Sequence, residues 1–179
     1  MSTQAIGAAA AGTAILGGGG ATIAYAAGAF NGEIKYKNFD DYVSRSGKYE
    51  YIGKLGGETE DGSIKKKVEV FLKNSDSSKK TAYKDKLKKN IKGINESDEA
   101  NNPKPTDDEI DRTISGSDNT NELEKTSKFV HNWCKKNKDL KPTQKEGQID
   151  FKETEITSHD NWDRFKELCL TEVVRTNNV

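Results

Sequence analysis

The chain has 179 residues, with 29 Lys+Arg balanced by 29 Asp+Glu. That zero net charge excludes a globally basic nucleic-acid binder and a uniformly acidic solvating chain. The length fits one ordinary domain with an appendage, and is short for most barrels or two-domain enzymes.

The balance conceals a split. Met1 to Gly32 carries no charged side chain and holds 18 apolar residues, 11 of them Ala, plus 8 of the 16 Gly. Every charge therefore falls between Glu33 and Val179. The uncharged stretch from Ala5 to Phe30 would extend about 39 Å as a helix at ~1.5 Å per residue. That exceeds a hydrocarbon core of roughly 30 Å. Its larger anchors are Ile6, Ile15, Leu16, Ile23, Tyr25 and Phe30. The glycine run Gly17–Gly20 weakens a helix in water, but in lipid an unpaired backbone costs more than glycine entropy. The leading expectation is an uncleaved transmembrane anchor, so that residues 5–30 have the lipid bilayer as their partner. A cleaved signal peptide competes, because Ala24-Tyr25-Ala26 is an A-x-A-like site, although no Lys or Arg precedes the apolar region. A flexible soluble tail is the third reading. Gly7 to Thr13 has the glycine spacing of a phosphate loop but lacks its lysine.

The polar remainder reads as a small α+β domain. Ile34 and Tyr36, then Tyr49 and Tyr51, alternate with charged residues and predict short half-buried strands. Gly53, Gly56, Gly57 and Gly62 mark a loop. Ile64, Val68, Val70 and Leu72 share one parity, which predicts a strand over about Lys66–Lys73, pairing with Tyr49–Leu55. From Ser78 the period lengthens: Tyr83, Leu87, Ile91 and Ile94 form one stripe of an amphipathic helix. Residues 95–106, with Pro103 and Pro105, are expected to be a mobile loop. Thr106 to Glu109 has capping-box spacing before a short helix carrying Ile110 and Ile114. Ser115-Gly116-Ser117 ends that helix. Leu123, Val130, Trp133 and Cys134 fit a helix over about Asn121–Lys136. Ile149 and Phe151 suggest a short strand. Thr157 to Asp160 opens a last helix with Trp162, Phe165, Leu168 and Cys169 on one face and Val173 extending it. The whole is thus a transmembrane or signal helix over 1–32, then short antiparallel strands and about four helices over 33–179.

Two charge blocks adjoin. Lys79 to Lys92 carries seven Lys and one Asp; Asn95 to Asp111 carries seven acids and one Lys. Lys84, Lys88 and Lys92 stand at i, i+4 spacing and form a candidate face for an anionic partner, whether lipid, nucleic acid or acidic protein. They repel one another unless the acidic segment folds back. No Arg fork or aromatic platform interleaves them, which argues against nucleic acid.

Cys134 and Cys169 sit on two predicted helix faces among aromatic neighbours. The residues favour two small core thiols if the domain is inside the cell, and permit a disulfide if it is outside. His131 and Cys134 form an H-x-x-C pair, and His159 with Cys169 would complete four zinc donors, but the spacing matches no strong zinc pattern. There is no dinucleotide fingerprint, G-x-S-x-G or H-E-x-x-H. No catalytic residue and no cofactor is implied.

The opening Ser2-Thr3-Gln4-Ala5-Ile6-Gly7, the stretch Phe129-Val130-His131-Asn132-Trp133-Cys134, and Trp162-Asp163-Arg164-Phe165-Lys166-Glu167-Leu168-Cys169 carry a resemblance. They are similar to the large paralogous families of uncharacterised proteins of haemotrophic mycoplasmas. Twenty-five Lys against four Arg also suits an A+T-rich genome. The resemblance covers both ends of the chain. It implies a membrane-associated or surface-exposed protein, in contact with a host protein or varied as an antigen. It supplies no catalytic residues. A membrane-tethered cytoplasmic module is the alternative, because Lys35, Lys37, Arg45 and Lys48 follow the uncharged segment and no Lys or Arg precedes it.

Overall fold

A computed structural model describes residues 33–95, 102–113 and 120–174. The expected anchor over 1–32 lies outside these residues. So do Glu96–Asn101 of the expected mobile loop, Ile114, and Ser115-Gly116-Ser117.

The described chain is α+β, with short strands at both ends and helices between. β1 (Lys35–Tyr36) leads into α1 (Phe39–Ser46) and β2 (Tyr49–Tyr51). Asn38 caps α1 by accepting the Asp41 amide, and Gly47 ends it at φ 63°, a left-handed conformation that favours glycine. Phe39, Tyr42 and Val43 occupy the buried face of α1 at i, i+3 and i+4.

The next element corrects the sequence reading. Residues 64–72 are a helix, α2 (Ile64–Leu72), and not a strand. Ile64, Val68 and Leu72 lie at i, i+4 and i+8, a spacing that satisfies period 2 and one helical face equally. Val70 separates the two, because a strand would turn it inward with the others. It is 62% exposed. The Ser63 hydroxyl accepts the Lys66 amide and starts the helix. The expected pairing with Tyr49–Leu55 is absent too: β2 pairs with the C-terminal β4 (Leu170–Glu172), and only an isolated bridge joins Lys54 to Ser63.

α3 (Ser77–Lys92) begins at Asp76, whose carboxylate accepts the Ser78 and Lys79 amides. Leu87, Ile91 and Ile94 are buried as their spacing predicts, while Tyr83 is half-buried with its ring 4.9 Å from Phe71. α4 (Asp107–Arg112) has the expected capping box between Thr106 and Glu109. α5 (Thr120–Asn137) presents Leu123, Phe129, Val130, Trp133 and Cys134 to the core and packs most extensively against α2.

The C-terminal third differs in detail. β3 is only Phe151–Lys152, and Ile149 is 74% exposed. Glu153–Thr157 forms an unanticipated short helix, α6, so residues 157–158 close one helix instead of opening the next. α7 (Trp162–Cys169) buries Trp162, Phe165, Leu168 and Cys169. It stops there. Val173 lies beyond β4, with its amide donating to the Lys48 carbonyl, and does not extend the helix face. The described residues thus hold seven helices, where about four were expected.

Two antiparallel pairs close the domain: β1 with β3 (Tyr36 opposite Phe151) and β2 with β4 (Tyr49 opposite Glu172). Both join N-terminal to C-terminal segments. Between them lies an aromatic cluster. Phe39 meets Trp162 edge-on at 5.2 Å, Tyr42 meets Trp162 at 5.1 Å, and Phe165 sits 5.1 Å from Phe39. Among the described residues no helix is long and apolar enough to cross a membrane.

Candidate functional site

The lysine face of α3 meets acid from its own chain. Lys84 is 6% exposed, and its Nζ donates to the Asp111 carbonyl at 2.6 Å. Lys88 Nζ reaches Asp111 Oδ1 at 2.8 Å and Asp85 Oδ1 at 3.4 Å. Burial pushes the Lys84 amine below its ordinary pKa against the pull of Asp111, whereas the hydrogen bond to Asp111 raises that of Lys88. Lys92 remains exposed, and its carbonyl accepts Lys104 Nζ at 3.3 Å. Lys125 Nζ holds Glu109 at 2.7 Å and keeps that carboxyl below the usual range. The acidic helix α4 therefore folds back onto α3. Two of the three candidate lysines are turned to it, and the three do not form one open basic surface.

The cysteines come together. Cys134 of α5 and Cys169 of α7 are both fully buried and are joined as a disulfide, with a Cα–Cα distance of 5.7 Å. Trp133 of α5 and Phe165 of α7, on the two helices that carry the cysteines, lie 6.3 Å apart. As a disulfide neither sulfur is available to zinc, and no cluster of three or more metal-ligating side chains occurs among the described residues. His159 is elsewhere, packed 5.2 Å from Phe39 and accepting the Asn161 amide at Nδ1.

A polar seam between α2, α5 and the glycine loop went unread in the sequence. Lys65 is 7% exposed and lies 3.3 Å from Glu124 and 3.9 Å from Glu69. His131 is 1% exposed and hydrogen-bonded to the Gly56 backbone, while its Nδ1 has no hydrogen-bond partner. Burial lowers its pKa, opposed by Glu58 and Glu60 of the loop and aided by Lys135. Lys135 also donates to the Gly56 carbonyl, and Lys128 pairs with Glu58 at 3.5 Å. The seam fastens the loop to α5. Its one sequence signal is the His131, Lys128, Lys135 stripe at i±3 and i±4.

Two concave features among the described residues are shallow and open. One groove of about 270 Å³ runs beside Pro103 and Lys125, and another of about 410 Å³ lies between Lys48 and Glu172. Neither gathers a nucleophile with a base, and burial raises the Tyr42, Tyr51 and Tyr83 hydroxyls well above the ordinary tyrosine pKa. No known protein-family model, curated protein or solved structure matches this chain.

Proposed function

We propose that the chain is a single-pass, membrane-anchored surface protein that acts by contact, with a host protein or as a varied antigen, and carries no catalysis of its own. One observation carries this reading: a domain with its two cysteines joined in its core follows a charge-free segment of membrane length. Disulfides persist in oxidising compartments and are rare where thiols are kept reduced. The similarity to haemotrophic mycoplasma families points the same way. The anchor is residues 5–30, and the domain from Glu33 onward is presented outside.

Protease treatment of intact cells tests it. The domain is expected to be cut without permeabilisation, leaving a membrane-bound N-terminal fragment. Protection until the membrane is opened would sink the surface assignment. Mass spectrometry of the native protein under alkylating conditions is expected to recover Cys134 linked to Cys169, and an intact N-terminus distinguishes an anchor from a removed signal.

The cytoplasmic alternative is favoured by one observation: Lys35, Lys37, Arg45 and Lys48 follow the uncharged segment, the side that faces the cytoplasm under the positive-inside rule. Two free, alkylated thiols together with protease protection would establish it.

A further inference from the structure

Three side chains of α5 converge on the loop that joins β2 to α2. The Gly56 carbonyl accepts Lys135 Nζ at 3.2 Å, and the His131 ring is hydrogen-bonded to the same Gly56 backbone. That bond raises the ring's pKa, as donation to a carbonyl does, so both side chains give to one oxygen. Nδ1 has no partner, so the donor is Nε2, and in the neutral ring Nδ1 is left as a bare lone pair. One turn earlier, Lys128 pairs with Glu58 at 3.5 Å. Lys128, His131 and Lys135 stand at i, i+3 and i+7, one face of the helix over about two turns. Held against Gly56, the ring is 1% exposed, although the lysines on either side of it reach solvent.

The root of the loop is fixed without α5. The Lys54 amide donates to the Gly62 carbonyl at 2.8 Å, the Ile64 amide to the Lys54 carbonyl at 3.0 Å, and Leu55 packs against the core. The tip keeps its own turn, with the Gly57 amide on the Glu60 carboxylate at 2.6 Å and the Glu60 amide on the Gly57 carbonyl at 3.1 Å. We propose that the tip, Gly56 to Glu58, is an acid-released latch: protonation of His131 sets two cations on the one Gly56 carbonyl and frees the tip from α5, while the root and the rest of the domain stay folded. The charges acting on the ring are Lys135 from its own helix and Glu58 and Glu60 from the loop. The other helices packed on α5 turn their charges to partners of their own: Lys65 of α2 to Glu124, Glu109 of α4 to Lys125, and Glu167 of α7 to Lys86. Burial, aided by Lys135, outweighs the attraction of Glu58 and Glu60, so the closed tip favours the neutral ring and the released tip the charged one. Release also gives up the Lys128 pair and the bond from the Ser63 hydroxyl to the Glu58 carbonyl, at 2.9 Å. It uncovers Lys128, His131 and Lys135 as three positive charges in line.

The full chain is digested with a glutamate-specific protease from about pH 7.5 to about pH 5, on either side of the ordinary histidine pKa. Each rate is normalised to that of a free peptide of the loop sequence at the same pH. When reclosing outpaces cutting, the rate reports the open fraction. Cleavage after Glu58 is expected to rise by up to about tenfold per pH unit below about 6.5, the limit for one proton. Cleavage after Glu50 in β2 and Glu172 in β4 is expected to stay flat. His131→Gln is expected to abolish the rise. Lys135→Gln, an exposed change, is expected to reduce it, because the charged ring then has no ammonium beside it; if His131→Gln fails to fold, Lys135→Gln decides alone. A flat profile overturns the latch, as does a rate that falls in acid because Glu58 captures the ring's new proton. So does an equal rise at Glu50 and Glu172, which is global unfolding, or a rise that either variant keeps in full.

Discussion

His131 shows what a single residue contributes and how little of it the sequence discloses. As part of H-x-x-C it reads as a metal-ligand candidate, yet its ring is buried under the glycine loop and its neighbouring cysteine is bonded elsewhere. Burial is the largest influence on its pKa and holds it below the ordinary value. The neutral ring is therefore the folded form. Its stability contribution is whole above the unfolded value of roughly 6.5 and is lost as pH falls through the lower folded value. The Glu109 and Glu153 carboxyls are shifted down by Lys125 and Lys48, so their loss comes later, below the ordinary carboxylate range. Thermal unfolding is expected to show a midpoint that falls as pH drops below about 6.5, and His131→Gln is expected to flatten that decline. An unchanged slope in the variant would assign the decline to another group. Lys65 and Lys84 teach the same lesson. Each is one lysine among many in sequence, and only the facing Glu124 and Asp111 set them apart.

At the scale of elements, caps and long stripes were legible and short apolar runs were not. The Thr106–Glu109 capping box, the Leu87–Ile91–Ile94 stripe and the Trp162–Phe165–Cys169 face all stand where their local chemistry puts them. α2 was misread because four apolar residues fit two periods, and Val70 was counted as inward-facing. The correction can be tested. Val68→Lys is expected to cost at least about 3 kcal/mol, since it buries an unpaired charge. Val70→Lys is expected to change stability by less than about 0.5 kcal/mol, as a helix-surface substitution does. Equal large costs in urea denaturation would restore the strand. β4 and α6 were missed for a different reason. A strand of three residues has no period of its own and exists because β2 offers it a partner.

On the scale of the whole molecule, long-range ties hold a core that the composition makes thin. β1–β3, β2–β4 and the Cys134–Cys169 bridge, 35 residues apart in sequence, all bind the C-terminal segments to earlier ones. Closing a loop of that size stabilises by about 4 kcal/mol on the chain-entropy model. Cys134→Ala with Cys169→Ala is expected to lower the unfolding free energy by that amount, and reductant is expected to bring the native protein down to the same midpoint. A native protein indifferent to reductant would mean that the thiols are free. The sequence by itself determined the division at Gly32, the α+β class, the capped helices and the amphipathic faces, because each depends on residues near one another in the chain. Only the tertiary structure decided which strands pair, that Cys134 and Cys169 meet, and that Asp111 of α4 takes up Lys84 and Lys88 of the basic helix. Those are contacts between distant segments, and their free energy depends on burial and distance that no local pattern encodes.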